Sequence, residues 1–278
     1  MEEKLLDYRG SKINYLLLGS GFKLAFCFHG YGESVGSFSF LEKHVGVNYT
    51  FIAIDLPFHG KNVWDERNDF LIDDLINIVN QILSENDLRK RELSLTLMGF
   101  SLGGRIALSL FQAMPDKIEK IILLAPDGLK VNFWYWLSTQ TWIGNKFFSF
   151  TMKHPGWFFG FLKLANFLRL VNASIFKFVN FYIGDKEVRR LLYLRWTSLR
   201  KLKPISNKIK SLVRQNKIKV ELVYGKYDRI ILSSVGEKFR RGIEDYCNIN
   251  VINSGHQVLH EKHVNDILPL LKDNKDNH

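Results

Sequence analysis

Three polar residues suited to nucleophilic chemistry stand far apart in this 278-residue sequence: Ser101, Asp228 and His256. A serine hydroxyl is a weak nucleophile at neutral pH. It needs a base to accept its proton, and the base needs a third group to fix its tautomer and stabilise its charged form. Ser101 lies in Gly99-Phe100-Ser101-Leu102-Gly103-Gly104, a G-x-S-x-G pattern that follows an apolar run (93–97) and opens a helix-like run (102–114). Such a strand–turn–helix corner, a nucleophile elbow, thrusts the serine outward. It also brings the residues two before and two after so close that a Cβ at either place would clash. Gly104 is expected to let the helix pack tightly on its sheet. The helix N-terminus leaves unpaired N–H groups beside the serine, where negative charge would develop on a carbonyl under attack. The pentapeptide alone also suits a serine helix cap among flexible glycines; its place between a strand pattern and a helix pattern favours the nucleophile.

Asp228 and His256 close two late strand patterns, in Gly225-Lys226-Tyr227-Asp228 and Ser254-Gly255-His256, so the order is Ser, Asp, His. Asp127, just past an earlier strand pattern, is the rival acid. His256 and His260 are four residues apart and would share a helix face, as metal ligands do. No H-E-x-x-H is present, so no metal site is expected, and His260 and His263 read as exposed helix residues. His29 and His59 read as structural hydrogen-bonders.

These groups need a scaffold. Strand-like runs occur at 12–18, 23–29, 50–55, 93–97, 121–125, 220–224 and 248–252, the first preceded by a hairpin partner at 4–8 with a turn at Arg9-Gly10-Ser11. Helix-like spacing occurs at 38–44, 71–83, 102–114, 235–243 and 257–271, and the tail 272–278 is polar and expected to fray. Uninterrupted apolar strands alternating with helices predict a parallel sheet covered on both faces, with ligands at the strands' carboxyl ends. His29, Asp55, Ser101, Asp127, Asp228 and His256 all fall at or just past such ends.

With these motifs in order, the chain resembles the α/β-hydrolase fold superfamily over roughly residues 12–127 and 207–271. Besides the elbow, His29-Gly30-Tyr31-Gly32 is similar to the family's oxyanion loop, Asp55-Leu56-Pro57-Phe58-His59-Gly60 to its D-x-P-x-H-G turn, and Gly225–Asp228 to its acid loop. Gly255-His256 with Glu261 matches the start of its last helix. The resemblance implies a mostly parallel eight-stranded sheet with helices on both faces (residues 1–127 and 207–278) and an inserted α-helical cap (128–206). It implies Ser101 as nucleophile, His256 as base, Asp228 as orienting acid, the N–H groups of Tyr31 and Leu102 as the oxyanion hole, and Gly30 and Phe58 beside the substrate. Phe58 stands where many relatives have glycine, so that turn is expected not to use positive φ freely. His263 stands where proline is common. The implied activity is hydrolysis of a carboxylic ester with an apolar acyl or alcohol part through an acyl-enzyme, without cofactor. Carbon–carbon bond hydrolysis or acyl transfer on the same residues, and non-catalytic binding of an apolar ligand, are the alternatives.

Charge is unevenly placed. Residues 128–216 hold 16 of the 39 Lys/Arg and only two of the 28 acidic residues, together with five of the six tryptophans. A composition break this large marks a distinct unit. Its aromatics are expected to pack cap helices onto the core, some of them lining an apolar pocket over Ser101. Its positive charge fits a solvated face, attraction of an anionic amphiphile, or contact with an anionic membrane. No nucleic-acid-binding module, dinucleotide fingerprint or phosphate loop is present. Cys27 and Cys247 read as buried thiols rather than a disulfide framework. With no secretory leader pattern and no long apolar span, a cytoplasmic protein is expected, peripheral at the inner membrane face where the basic cap meets it. The oligomeric state is open.

Overall fold

A computed structural model describes residues 1–65, 69–89, 94–130, 132–168 and 183–271. By backbone proximity these form two units, one of residues 1–65, 70–89, 94–130 and 202–271, the other of residues 69, 132–168 and 183–201.

The first unit is built on eight strands: β1 (Glu2–Tyr8), β2 (Ser11–Leu18), β3 (Lys23–Phe28), β4 (Tyr49–Ile54), β5 (Leu95–Phe100), β6 (Ile118–Leu124), β7 (Lys219–Gly225) and β8 (Cys247–Ile252). They form one sheet in the order β1-β2-β4-β3-β5-β6-β7-β8. β2 runs antiparallel to both its neighbours, and every pair from β4 to β8 is parallel. The β1–β2 hairpin turns on Arg9 and Gly10 alone, both at positive φ (49° and 77°), which leaves Ser11 free to start β2. β4 and β5 are buried along their whole length, as strands covered on both faces must be. Helices α1 (Glu42–Val45), α2 (Ile72–Glu85) and α3 (Leu102–Ala113) lie between the early strands. β5 continues through Gly99 and Phe100 to the serine itself, because Phe100 still pairs with Leu124. Its expected start, Leu93, lies outside the described residues.

The parallel register sets the level of the site. Phe28 faces Gly99, Phe100 faces Leu124, and Gly225 faces Ile252, so five loops leave the same edge of the sheet within a few residues of one level. The chain leaves β3 for β4 on one side and β5 for β6 on the other, and at such a reversal in an open parallel sheet the loops diverge.

The second unit contains α4 (Phe133–Gln140), α5 (Trp142–Lys153), α6 (Gly156–Phe167) and α7 (Lys186–Ser198), the inserted cap helices. Asn132, Thr141 and Asp185 cap α4, α5 and α7 through their side-chain oxygens, as short polar residues at helix starts do. Gln140 Nε2 donates to the Arg200 carbonyl (2.7 Å), Arg189 Nε donates to that of Met152 (2.9 Å), and Arg200 pairs with Asp69 (3.2 Å). Leu170, the last residue of a helix-spaced apolar series with Phe161, Leu162, Ala165 and Leu168, lies outside the described residues, as does the tail 272–278.

After the cap come α8 (Ser206–Asn216), α9 (Ser233–Arg240) and α10 (Val264–Leu271). The closing helix is shorter than its spacing predicts. Residues 257–260 stay irregular and a single 3-10 turn, Glu261–His263, precedes α10. Short-range bonds, Val258 N–H to His256 O (2.9 Å) and His260 N–H to Val258 O (3.2 Å), replace helical ones there. His263 is buried rather than exposed. Burial, then the charge of Lys262, holds its imidazole pKa below the ordinary value. Among the described residues no helix is long and apolar enough to cross a membrane.

Candidate active site

Ser101 joins β5 to α3 at φ 49° and ψ −115°, a conformation that costs a non-glycine residue of order 1–3 kcal/mol. Its surroundings hold it there. Its N–H donates to the Leu124 carbonyl (2.9 Å), and its own carbonyl accepts from Gly104 (2.9 Å) and Asp127 (2.8 Å). The glycines divide the work differently from the expectation. A Cβ on Gly103 would strike the Phe28 carbonyl at the end of β3, so this residue seats α3 on the sheet. Gly104 instead clears Pro126 in the loop after β6.

From β5 to β8 is three strand spacings, roughly 14 Å; loops must close that gap. The acid and histidine loops are bonded to each other. Lys226 N–H donates to Ile252 O (2.8 Å) and Tyr227 N–H to Ser254 O (2.9 Å). A Cβ on Gly225 would overlap the Gly255 carbonyl. Asp228, whose carboxylate is fully buried, accepts from Ile230 N–H (2.7 Å) and Ile231 N–H (3.0 Å) at Oδ1. Its other oxygen, Oδ2, lies 2.8 Å from His256 Nδ1. His256 Nε2 lies 3.0 Å from Ser101 Oγ. A carboxylate only accepts, so Nδ1 carries the proton and Nε2 is left as acceptor for the hydroxyl. The Phe100 ring packs on the imidazole at 5.4 Å between centroids. The rival acid is spoken for elsewhere: Asp127 pairs with Arg105 and accepts from Gly128 N–H.

The loop after β3 is braced from behind. His29, fully buried, bonds Gly30 O through Nδ1 (2.8 Å) and accepts Leu56 N–H at Nε2 (3.1 Å). Asp55 accepts from Val35 N–H (2.7 Å), Asn14 Nδ2 (2.7 Å) and Lys61 N–H (2.9 Å). His59 is buried, with Nδ1 2.8 Å from Pro57 O. Gly30 packs against the Phe100 ring. Tyr31 sets its ring edge-on to His59 at 5.7 Å. Leu102 is the first residue of α3, so its N–H has no acceptor within the helix.

Phe58 overturns an expectation. Its φ is 63°. The turn is closed by His59 N–H to Leu56 O (3.0 Å), with Pro57 second and Phe58 third, the position where a type II turn requires positive φ. The closed turn and Pro57 outweigh the Cβ strain.

One pair of residues carried no sequence expectation. Glu33 accepts Gly30 N–H at Oε2 (3.3 Å) and Gln257 Nε2 at Oε1 (2.8 Å), linking the loop after β3 to the histidine loop. The available signal was an acid three residues after a glycine, within reach of its N–H. Among the described residues no group of three or more His, Cys, Asp or Glu is arranged to hold a metal.

Known proteins share this architecture. The structure resembles the thioesterase domain from the curacin biosynthetic pathway (TM-score 0.61, 17% identity, covering 98% of this chain and 99% of that one). It also resembles the meta-cleavage product hydrolase of Pseudomonas fluorescens IP01 (TM-score 0.63, 14% identity, covering 99% and 98%). At such identities the likeness is one of fold. In sequence, the chain is 29% identical over 102 residues to the dihydrolipoyllysine-residue acetyltransferase component of the acetoin cleaving system of Pseudomonas putida, covering 36% of this chain and 26% of that protein. The chain thus spans only about a quarter of that relative's length. Residues 22–263 match the family described as serine aminopeptidase, S33, and with the sheet order and inserted cap above, the chain belongs to this family of the α/β-hydrolase superfamily.

Proposed function

We propose that the protein is a serine hydrolase that cleaves a carboxylic ester with an apolar acyl or alcohol part. The unbroken series from Asp228 through His256 to Ser101, at 2.8 and 3.0 Å, carries this proposal. Ser101 Oγ attacks the ester carbonyl carbon as its proton passes to His256 Nε2. The carbonyl π pair moves onto oxygen, facing the N–H groups of Tyr31 and Leu102. Each such donor is worth about 3 kcal/mol in the transition state. The oxyanion then re-forms the carbonyl and the alkoxide leaves, taking the proton from His256. Water, deprotonated by the same nitrogen, attacks the acyl-enzyme and releases the acid, returning the proton to Ser101. Asp228 holds the imidazole tautomer and stabilises the imidazolium in both halves.

In this scheme residues 1–127 and 207–278 form the catalytic core, 128–206 the cap, and Gly30 and Phe58 border the substrate. The apolar preference is supported by the aromatic content of the inserted segment. The two buried free thiols support a reducing, cytoplasmic setting. A fluorophosphonate probe tests the chemistry. It should label the wild-type chain at Ser101 and leave Ser101→Ala unlabelled; equal labelling of both would refute it. Turnover of p-nitrophenyl esters of increasing acyl length, with products identified, separates ester hydrolysis from carbon–carbon cleavage or acyl transfer.

A further inference from the structure

We infer that α5 and α6 form a docking face for an anionic lipid bilayer. The inference stands on these helices alone and does not depend on Ser101.

A helix in a water-soluble domain turns its apolar stripe inward. These two also turn large apolar side chains outward. On α5 the outward positions are Trp142, Ile143, Lys146, Phe147, Phe150 and Lys153, which recur at helical spacing, while Thr151 and Met152 are buried. Trp142 is 71% exposed and Ile143 75%. On α6 Trp157, Phe161 and Leu164 follow one line, continued by Leu168 just past the helix, and Leu162 and Ala165 are buried behind them. Phe161 is 60% exposed and Phe167 81%. The rings of Phe147 and Trp157 meet at 5.1 Å, so the two stripes are continuous. An apolar surface of this extent marks an interaction site.

Charge selects the occupant. No Asp or Glu occurs between Gly128 and Gly184, whereas Lys146, Lys153 and Lys163 lie on these helices. The Lys146 ammonium sits 3.9 Å over the Trp142 ring. Two copies meeting through this face would bring lysines together with no carboxylate to pair them. A bilayer of anionic headgroups supplies the opposite charge to the lysines and an apolar layer to the rings, as interfacial helices require.

The test is flotation of the full chain with vesicles of phosphatidylcholine alone or containing phosphatidylglycerol, followed by tryptophan emission. Binding should favour the phosphatidylglycerol vesicles, shift the emission to the blue and weaken as salt rises. Phe161→Ser/Phe167→Ser, both exposed positions, should lower partitioning at least roughly tenfold while far-UV circular dichroism stays unchanged. Each of Lys146→Gln, Lys153→Gln and Lys163→Gln should lower it roughly fivefold. Ser101→Ala should bind as the wild type does, so a failed hydrolase assay leaves this result standing. Equal recovery with both vesicle types would overturn the inference. So would a self-associated species at sedimentation equilibrium without lipid that Phe161→Ser/Phe167→Ser dissolves.

Discussion

Glu33 and Gln257 meet at 2.8 Å, Oε1 to Nε2, and through this bond the loop bearing Gly30 and Tyr31 is tied to the loop bearing His256. The same carboxylate holds the Gly30 N–H, and Gln257 also donates to Leu259 O at 3.1 Å. Glu33 therefore acts as a positioning residue for two loops that the sheet holds several strands apart. Glu33→Ala should lower kcat on a short p-nitrophenyl ester roughly tenfold, equivalent to about 1.4 kcal/mol, with KM and the urea midpoint little changed. Glu33→Gln keeps one acceptor and should restore part of the loss; a KM effect alone would point to substrate contact instead.

The two candidate acids separate cleanly. Asp228→Asn should reduce kcat by about 10⁴-fold, because an amide no longer selects the tautomer with Nδ1 protonated. Asp127→Asn disturbs only the pairing with Arg105 and should leave kcat within roughly tenfold of wild type. Steady-state rates of the two variants with one ester decide the assignment.

Strain at Phe58 can be weighed without losing track of its ring. Phe58→Ala and Phe58→Gly both remove the side chain beyond Cβ, but only alanine keeps the clash at φ 63°. The glycine variant should be the more stable of the two by about 1 kcal/mol, read from urea unfolding at 25 °C. Equal midpoints would mean that the turn relaxes once the ring is gone.

The two thiols predict a loss of stability in mild alkali. Desolvation in the core raises the Cys27 pKa well above its ordinary value and pushes Cys247 up to about 12. Unfolded thiols ionise near pH 8.5. Their contribution is therefore complete below pH about 8.5 and is lost as pH rises from there toward the folded values, at about 1.4 kcal/mol per thiol per pH unit. The urea midpoint should fall between pH 8 and pH 10, and less steeply in Cys247→Ala (about one thiol's share). Neither thiol should react with Ellman's reagent in the native state.

Much of the site's local grammar was legible in the chain. The corner at Ser101, with glycines two residues to either side, follows from short-range sterics, and so does the helix that begins at Leu102. The order Ser101, Asp228, His256 and the rhythm of buried strands and helices were likewise local patterns, and they led to the right fold class. Local patterns also misled. The spacing over 257–271 reads as one helix, but the chain at 257–260 is occupied by bonds to Glu33 and to its own turns. Phe58 could be read as excluding positive φ only because the closing bond between Leu56 and His59 is not visible in residue types.

What the tertiary structure alone decided is convergence. Strand order and register are long-range properties, set by which apolar faces meet after crossovers of many residues, and no short window contains them. The order β3-β5-β6-β7-β8 places Asp127 against Arg105, leaves Asp228 facing His256, and bonds the last two loops so that the imidazole spans to Ser101 at 3.0 Å. Residue types named the candidates; the pairing of strands brought Ser101, His256 and Asp228 within hydrogen-bonding distance, because bonds of this length require positions that only a packed sheet can specify.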